Sequence, residues 1–348
     1  MLELHSPDGA FERIEAYLRE RGFFAPGGED LVADLYLGYG LSEPLRRTSG
    51  PAPPEPCPLP LAAVAVADMW GPGPDMSHAD GVAIGQWERT WSDAEYGDAV
   101  DAVRDAIGRG DAYQVNLVQH LSAELEGAPR ALAERLGRFR PRVLEGDGWA
   151  VVSASPELFL ARRGRTVRTE PIKGTRPLGE HVEGEKDAAE HVMIVDLERN
   201  DLSRVCEPGS VHWPELMVER ELAGVTHLVS TVEGTLRPDV GLAELLAATF
   251  PGGSVTGAPK IAALDLIAAL EPVGRGASMG ALGVVHGNGD LELALTIRTF
   301  AIADDRLHLW VGGGVVWDSE PEAEIAESWT KAQPLLAAIG APVEAARR

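Results

Sequence analysis

Hydrophobic and polar residues alternate along several stretches of the chain, and this alternation is typical of a half-buried β-strand. Alternation of this kind, or an apolar run of strand length, predicts strands at residues 62–70, 112–125, 149–176, 227–236, 277–302 and 306–317. Two of these stretches contain turns. The basic sequence RRGR at 162–165 divides the third stretch into successive strands, and GNGD at 287–290 makes the fifth stretch a hairpin.

A repeat near 3.6 residues is the pattern of an amphipathic helix. It predicts helices at residues 91–111, 183–206, 241–250, 259–272 and 321–339. The first is the best marked, because Ser92 and Glu95 can form a capping box and two glycines follow its last turn. The strands and helices do not alternate regularly. We therefore predict an α+β fold with mainly antiparallel sheets, and not a Rossmann fold or a TIM barrel.

The segment SGPAPPEPCPLP at 49–60 differs in composition from the rest of the chain. Its prolines exclude a helix or a central strand, so it is predicted to be a loop or linker. The residues before it are too few for a robust core of their own. We therefore expect residues 1–60 to be an N-terminal piece with its linker, packed on a main domain that covers residues 61–348.

Composition narrows the class of protein. The chain has 348 residues, of which 45% are hydrophobic and 24% are charged, as in soluble globular proteins. Its formal net charge of −23 argues against a nucleic-acid partner, because there is no basic excess to neutralise phosphates. Cys57 and Cys206 are far apart and match no metal-ligand spacing, so we expect two reduced thiols in a cytoplasmic protein. No signal peptide or membrane span is visible in the pattern.

Three glutamates are candidate metal ligands. Glu190 lies on the predicted helix at 183–206, and Glu324 and Glu327 lie one turn apart on the last helix. Residues at i and i+3 share a helix face, so the last two carboxylates can point at one ion. Oxygen-only ligands from separate segments suit Mg²⁺. The alternative is three solvated carboxylates on helix surfaces.

Two glycine-rich turns and one arginine are further candidates for anion binding. The turns PGGSVTGAPK at 251–260 and VGGGVV at 311–316 can aim backbone N–H groups at an anion, or they can be ordinary tight turns. Neither matches a nucleotide-binding fingerprint. Arg298 lies inside an apolar stretch, where it needs an acidic partner or an anionic ligand. A structural salt bridge and a ligand carboxylate both satisfy this need.

The sequence PIKGTR at 171–176 places a single lysine, Lys173, between a proline and a glycine. From these residues alone, Lys173 is either a surface charge at a turn or a nucleophile.

As an ordered set, these segments resemble the chorismate-utilising enzymes. The resemblance runs in family order from about residue 92 to residue 335. It is carried by GDAYQVNLVQ, SASPELFL, PIKGTRP, EKDAAEHVMIVDLERNDLSRVC, VTHLVSTVEGTL, FPGGSVTGAPK, IRTF and GGGVVWDSEPEAEIAESWTKA. It implies a fold of two large packed β-sheets with flanking helices, and chorismate, a dianion, as the substrate.

The resemblance also implies roles for individual residues. Glu190 and Glu327 match the Mg²⁺ ligands, with Glu324 near the ion, and the metal would anchor the ring carboxylate. Arg298 matches the arginine that binds the pyruvyl carboxylate. The remaining matches are an acid/base glutamate beside the C4 hydroxyl, a histidine near the ring, a threonine after the loop glycine and backbone donors to carboxylates: Glu157, His227, Thr175, Gly257, Gly313 and Gly314.

Within this family, anthranilate synthases resemble PIAGT at the PIKGT site, and aminodeoxychorismate synthases resemble PIKGT. A deprotonated Lys173 that adds at C2 would expel the C4 hydroxyl, and ammonia would then attack C4 and release the lysine. Gln114 also favours amination at C4. Isochorismate and salicylate synthases carry a water-activating lysine where this chain has Gln114, and an amide cannot act as a general base. The resemblance therefore favours amination at C4.

Two departures from the family pattern are visible. Ser278 stands where relatives have an aromatic hydroxyl that touches a substrate carboxylate. The N-terminal part is shorter than in full-length relatives, and only 35–44 is similar to it, so inhibition by tryptophan is not expected. No glutaminase pattern surrounds Cys57 or Cys206, so ammonia would come from solution or from a separate glutamine amidotransferase subunit. Two other functions remain open: an anthranilate synthase, and a non-catalytic chorismate-binding protein.

Overall fold

The structure is a computed structural model that describes residues 1–68, 81–177, 185–222 and 225–341. Parts of two predicted elements, residues 69–70 and 183–184, lie outside these residues. The helices are α1 Ala10–Glu20, α2 Asp93–Gly108, α3 Pro129–Arg135, α4 Glu185–Ser203, α5 Leu242–Thr249, α6 Lys260–Leu270 and α7 Pro321–Ala338. Helix α2 begins as predicted, because Ser92 and Glu95 form the capping box.

The strands are β1 Leu2–Leu4, β2 Leu31–Leu37, β3 Ala62–Asp68, β4 Ala83–Ile84, β5 Glu88–Arg89, β6 Gln114–Glu126, β7 Arg142–Gly146, β8 Trp149–Ser153, β9 Leu158–Arg163, β10 Thr166–Glu170, β11 Ile172–Pro177, β12 His212–Leu222, β13 Val225–Thr235, β14 Gly257–Ala258, β15 Ala281–His286, β16 Leu291–Leu295, β17 Thr299–Ala303 and β18 Arg306–Val315.

Within the described residues, these strands form two large sheets. The first has ten strands in the order β1-β3-β2-β15-β16-β9-β10-β13-β11, with β12 also paired to β13. The second has eight, in the order β14-β6-β18-β17-β8-β7, with β4 and β5 also paired to β6. Every strand pair recorded in the described residues is antiparallel. The predicted α+β class with mainly antiparallel sheets is confirmed.

The hydrophobic core has two parts. One cluster joins residues of both sheets, for example Leu35 and Leu160 of the first sheet with Val115 and Val151 of the second. The other lies on the second sheet under α3 and α7, with Trp329 of α7 fully buried in it. Strands β1 and β2 belong to the large sheet, so the N-terminal residues are paired with the rest of the protein.

One predicted element is wrong in part. The stretch 277–302 was expected to be a single hairpin, and its turn at 287–290 does join β15 to β16. The second arm then breaks after Leu295, and the chain resumes as β17 in the other sheet. Arg298 lies in this crossing, with a positive φ of 51°. It is therefore not inside a strand, because the switch between sheets takes these residues out of both ladders.

Candidate active site at the glycine end of β18

The second half of β18 lies at an open position of the second sheet. Strand β6 pairs with β18 along its whole length, from Arg306 to Val315. On its other side, β17 pairs with β18 only as far as Leu309. Among the described residues, no strand continues this side along the glycines at 312–314, so backbone groups there remain available to a ligand.

Glycine at position 313 lets two carboxylates approach the strand. A Cβ atom added to Gly313 would lie 3.4 Å from both Glu324 Oε2 and Glu327 Oε1, and 3.2 Å from Lys331 Nζ. The ammonium group of Lys331 lies 2.7 Å from Glu327 Oε1 and donates to Gly312 O at 3.0 Å. Helix α7 thus directs two carboxylates and one cation at the same point of β18.

Two of the three predicted metal ligands lie close together. Glu324 and Glu327 place two carboxylate oxygens against one glycine, which suits a hard cation. Glu190 is half-buried on α4. Within the described residues, no three Asp, Glu, His or Cys side chains come together as a metal-binding group. The structure therefore brings together two of the three predicted ligands, and the Mg²⁺ site stays a prediction.

Glu157 lies in the connection between β8 and β9 and is only 4% exposed. Burial raises the pKa of this carboxyl, against the opposing effects of a Ser254 hydrogen bond and the positive charges of Lys173 and Arg298. The Ile172 amide approaches Oε1 at 3.4 Å. A carboxyl group with a raised pKa beside cationic groups has the properties of a general acid.

Lys173 and His227 come from neighbouring strands. In the register of β11 and β13, Lys173 is paired with Leu228, the residue after His227. The Nδ1 atom of His227 lies 2.8 Å from Gly174 O. A carbonyl oxygen only accepts, so Nδ1 carries the proton and Nε2 is the acceptor of the neutral ring. Burial lowers the pKa of His227, which favours this neutral form.

The backbone of Thr175 continues β11, and its side chain lies outside the described residues. Arg298, in the crossing between the sheets, donates no hydrogen bond from its guanidinium to any described residue, although the charge of Glu157 acts on it. Burial lowers the pKa of Arg298. A cation in this setting is suited to an anionic ligand.

Gln114 is 1% exposed, and within the described residues neither polar atom of its amide has a hydrogen-bond partner. A Cβ atom on Gly314 would lie 2.0 Å from Gln114 Nε2. Gly257 has a φ of 138°, and a Cβ there would lie 2.2 Å from Gln114 O. The two glycines and Gln114 thus form one tightly packed unit at the start of β6.

Ser278 is buried in the turn that follows Arg275, and its amide donates to Arg275 O at 2.8 Å. In the described part of the chain, no recorded hydrogen bond or ion pair joins Ser278 to another predicted site residue. The structure therefore leaves its predicted role untested.

Sequence reasoning missed three polar residues of this region: Lys331, Ser254 and Glu198. The spacing of Lys331 contained a signal, because it lies four residues after Glu327 and so shares its helix face. Ser254 and Glu198 reach the neighbourhood of Glu157 from distant segments. No local sequence pattern predicts that these distant residues lie near Glu157.

The fold and this arrangement define the class of protein. The sequence profile of the chorismate binding enzyme family matches residues 57–337. The chain therefore belongs to the chorismate binding enzyme family.

Its relatives carry two different names. Over 269 residues the chain is 40% identical to anthranilate synthase component 1 of Streptomyces coelicolor, a match that covers 73% of this chain and 53% of that protein. Over 265 residues it is 40% identical to aminodeoxychorismate synthase component 1 of Klebsiella aerogenes, covering 72% and 59%. The matches thus span little more than half the length of these relatives.

The solved structures agree on the fold. The crystal structure of anthranilate synthase component I from Streptococcus pneumoniae superposes with a TM-score of 0.77 at 27% identity, over 92% of this chain and 84% of that one. The menaquinone-specific isochorismate synthase of Escherichia coli gives 0.74 at 18% identity, over 97% and 84%. Within the described residues, none of the helices combines the length and apolar character that crossing a membrane requires.

Proposed function

We propose that this protein is an aminodeoxychorismate synthase component I, which converts chorismate and ammonia to 4-amino-4-deoxychorismate. The observation that carries the proposal is the position of Lys173. Its charge acts on the buried carboxyl of Glu157, so a candidate nucleophile and a candidate acid share one site. The relatives that carry the aminodeoxychorismate synthase name support the same assignment.

In the first step, the neutral amine of Lys173 forms a bond to C2 of chorismate. Both ring double bonds shift, the C4–O bond breaks, and the Glu157 carboxyl gives its proton to the leaving hydroxyl, which departs as water. In the second step, ammonia forms a bond to C4, both ring double bonds shift back, and the C2–N bond to Lys173 breaks. The Glu157 carboxylate takes the extra proton from the new amine, which restores the acid.

Other residues orient the substrate. Arg298 would bind the pyruvyl carboxylate, and Lys331 and the backbone N–H group of Gly314 would face carboxylate oxygens. His227 presents the Nε2 acceptor towards the ring. The neutral amide of Gln114 disfavours the activation of water, so hydration at C2 is not expected.

Glu324 and Glu327, with Glu190 as the third ligand, would hold Mg²⁺. When bound, this ion would supply positive charge to the ring carboxylate of a substrate that the acidic protein would otherwise repel. Ammonia would come from a separate glutamine amidotransferase subunit or from solution. The product would supply p-aminobenzoate and folate synthesis, or a specialised p-amino aromatic compound.

The test is product analysis with chorismate, Mg²⁺ and ammonium at alkaline pH, by mass spectrometry against isomer standards. We expect 4-amino-4-deoxychorismate from the wild type and a loss of roughly three orders of magnitude or more in Lys173→Ala. Lys173→Arg is the matched control. It keeps the positive charge but cannot form the C2 adduct, so it should be as inactive as the alanine variant. Substantial activity in Lys173→Arg would contradict the nucleophile role.

Anthranilate synthase is the second candidate, because relatives of equal identity carry that name. It would form anthranilate by attack of ammonia at C2 without the lysine adduct. Anthranilate from the wild-type enzyme would establish this alternative. Chorismate binding without turnover, even with an amidotransferase present, would favour a binding protein.

A further inference from the structure

The proline-rich segment at 49–60, which the proposed function does not use, is fastened to α6 near both ends of the helix. On one side, Asp265 of α6 accepts hydrogen bonds from the amide of Thr48 at 3.2 Å and from its hydroxyl at 2.9 Å. On the other side, the Gly274 amide, just after α6, donates to Pro54 O at 2.9 Å. The residues between these two anchors therefore cross α6 as a strap.

A cavity of about 160 Å³ lies between this strap and the helix. Its apolar lining includes Ala52 and Pro53 of the strap, Leu264 and Ile267 of α6, and Leu61, which precedes β3. An apolar cavity of about 150 Å³ accommodates one benzene molecule. The space is therefore large enough for a single six-membered ring.

Two buried side chains in the wall of this cavity have polar atoms without a partner among the described residues. Tyr39 is only 6% exposed, and its Oη makes no hydrogen bond. The side chain of Arg46 is 7% exposed, and its Nε also has no partner, although its Nη1 donates to Glu43 at 2.6 Å. A guanidinium N–H can only donate, whereas a tyrosine hydroxyl can donate and accept. A ligand that satisfies both groups must therefore carry an acceptor atom.

The charged groups around the cavity select against an ionic ligand. Among the described residues, three carboxyl groups and two guanidinium groups line it: Glu43, Glu55, Glu271, Arg46 and Arg275. Arg46 pairs with Glu43, and Arg275 pairs with both oxygens of Glu271. An anion would therefore meet an excess of negative charge, and an ammonium group could not accept from Arg46 Nε. An uncharged hydroxyl can accept from Arg46 or Tyr39 and donate to a carboxylate, so it fits this lining.

We propose that this cavity binds a small uncharged ring that carries a hydroxyl group, a ligand of the phenol class. The ring would pack against Leu264 and Ile267, and the hydroxyl would hydrogen-bond to Tyr39 and Arg46. None of the described residues that line the cavity is a predicted residue of the candidate active site. Binding here is therefore a second property of the protein, and it does not depend on the proposed function.

The test is isothermal titration calorimetry of the protein with phenol, and with benzene and benzoate as comparison ligands. We expect saturable binding of one phenol per chain. Benzene, which cannot form the hydrogen bonds, should bind about threefold to tenfold more weakly. Benzoate should also bind more weakly than phenol, because the lining repels an anion. The proposal is overturned if phenol does not bind, or if benzene or benzoate binds at least as tightly.

Two neighbouring alanines of α6 show whether phenol binds in this cavity. Ala268 lines the cavity, whereas Ala269 is exposed and does not line it. The larger side chain of Ala268→Leu would fill part of the space, so the affinity for phenol should fall more than tenfold. Ala269→Leu is the matched control and should bind phenol like the wild type. Unchanged binding in Ala268→Leu would mean that phenol binds elsewhere, which overturns the proposal.

Tyr39→Phe tests the hydrogen bonds of the wall without filling the cavity. It keeps the aromatic ring, whose centroid lies 4.7 Å from the guanidinium carbon of Arg275, and removes only the hydroxyl. We expect the affinity for phenol to fall about threefold to tenfold and the affinity for benzene to stay the same. Equal changes for the two ligands would contradict the role of the hydroxyl. If Ala268→Leu does not fold, this comparison decides the proposal by itself.

Discussion

At the scale of single residues, the site depends on glycine positions. Gly314 lies against the amide of Gln114, and Gly313 lies against the carboxylates of α7. Bare backbone at these positions lets polar groups from β6 and α7 reach β18. The chemistry of the site is therefore set by the neighbours of the glycines as much as by the glycines themselves.

We predict that Gly314→Ala impairs the enzyme through this contact. The added methyl would lie 2.0 Å from Gln114 Nε2, and Gln114 is too buried to move aside, so strain of about 1–3 kcal/mol is expected. Activity with chorismate should fall more than tenfold. Steady-state kinetics and urea unfolding measure the two effects.

The control for this prediction is Gly137→Ala. A Cβ atom at Gly137 meets nothing within 4 Å, so this variant should match the wild type. Removing the amide in the double variant Gln114→Ala/Gly314→Ala should recover much of the lost stability. A stable and fully active Gly314→Ala would contradict the close packing.

Spacing along the chain predicted only the residues that share an element. Glu324 and Glu327 meet because they are one helical turn apart, which the sequence displays. Glu157 and Glu198 lie beside the same short segment, residues 169–172, because the packed fold brings distant parts of the chain to it. Such meetings are a property of the packed fold, so motif resemblance identified Glu157 while nothing in the sequence identified Glu198.

At the scale of elements, the end of α6 is fixed by a buried ion pair behind the site. Arg275 donates to both carboxylate oxygens of Glu271, at 2.6 Å and 2.8 Å, and both side chains are almost fully buried. Arg275 also donates to the backbone oxygens of Val255 and Asn116, and Glu271 accepts from the amide of Val118. The pair therefore ties α6 to β6 and to the turn before β14.

We predict that Arg275→Met destabilises the protein by about 3–5 kcal/mol, because it leaves the Glu271 carboxylate buried without its cation. The double variant Arg275→Met/Glu271→Leu should be less destabilised, since it removes both charges. Denaturant unfolding measures each variant. The exposed pair of Arg163 and Glu292, 3.3 Å apart, is the control, and Arg163→Met should cost less than about 1 kcal/mol. Equal losses at the two pairs would contradict the argument.

The prediction of an element succeeded where the hydrophobic period agrees with residues that start and stop a helix. Helix α2 has both a capping box and terminal glycines, and its bounds fall within the predicted range. The stretch 277–302 looks continuous in its apolar pattern, but β16 and β17 belong to different sheets. Local alternation shows which residues suit a strand and does not show which neighbour the strand will take.

At the scale of the whole molecule, the site lies at connections where the chain passes from one sheet to the other. Arg298 lies in the crossing from β16 to β17, and Glu157 lies in the crossing from β8 to β9. Both connections carry the chain from one sheet to the other, so one polar residue from each is held between the layers. The sequence predicted the fold class, but this placement follows from strand order, which no single segment encodes.

The overall charge of −23 determines how Mg²⁺ binding must be tested. A strongly acidic protein is stabilised by any divalent cation, because screening reduces the repulsion among its carboxylates. We predict an additional, specific stabilisation at the α7 carboxylates, amounting to about 2.7 kcal/mol at a Mg²⁺ concentration one hundred times the dissociation constant. Thermal unfolding with Mg²⁺, compared with Na⁺ at equal ionic strength, measures the sum of both effects.

The variant Glu327→Gln separates the specific effect from the general one. It removes one charge in 54 acidic residues, so the screening contribution is nearly unchanged, while one of the paired oxygen ligands beside Gly313 loses its charge. We therefore expect Glu327→Gln to lose most of the extra rise in melting temperature that Mg²⁺ gives over Na⁺. The control is Glu322→Gln, which changes an exposed glutamate in the first turn of the same helix and should keep that rise. If Glu327→Gln and Glu322→Gln respond to Mg²⁺ alike, the ion acts only through the acidic surface, and α7 holds no metal.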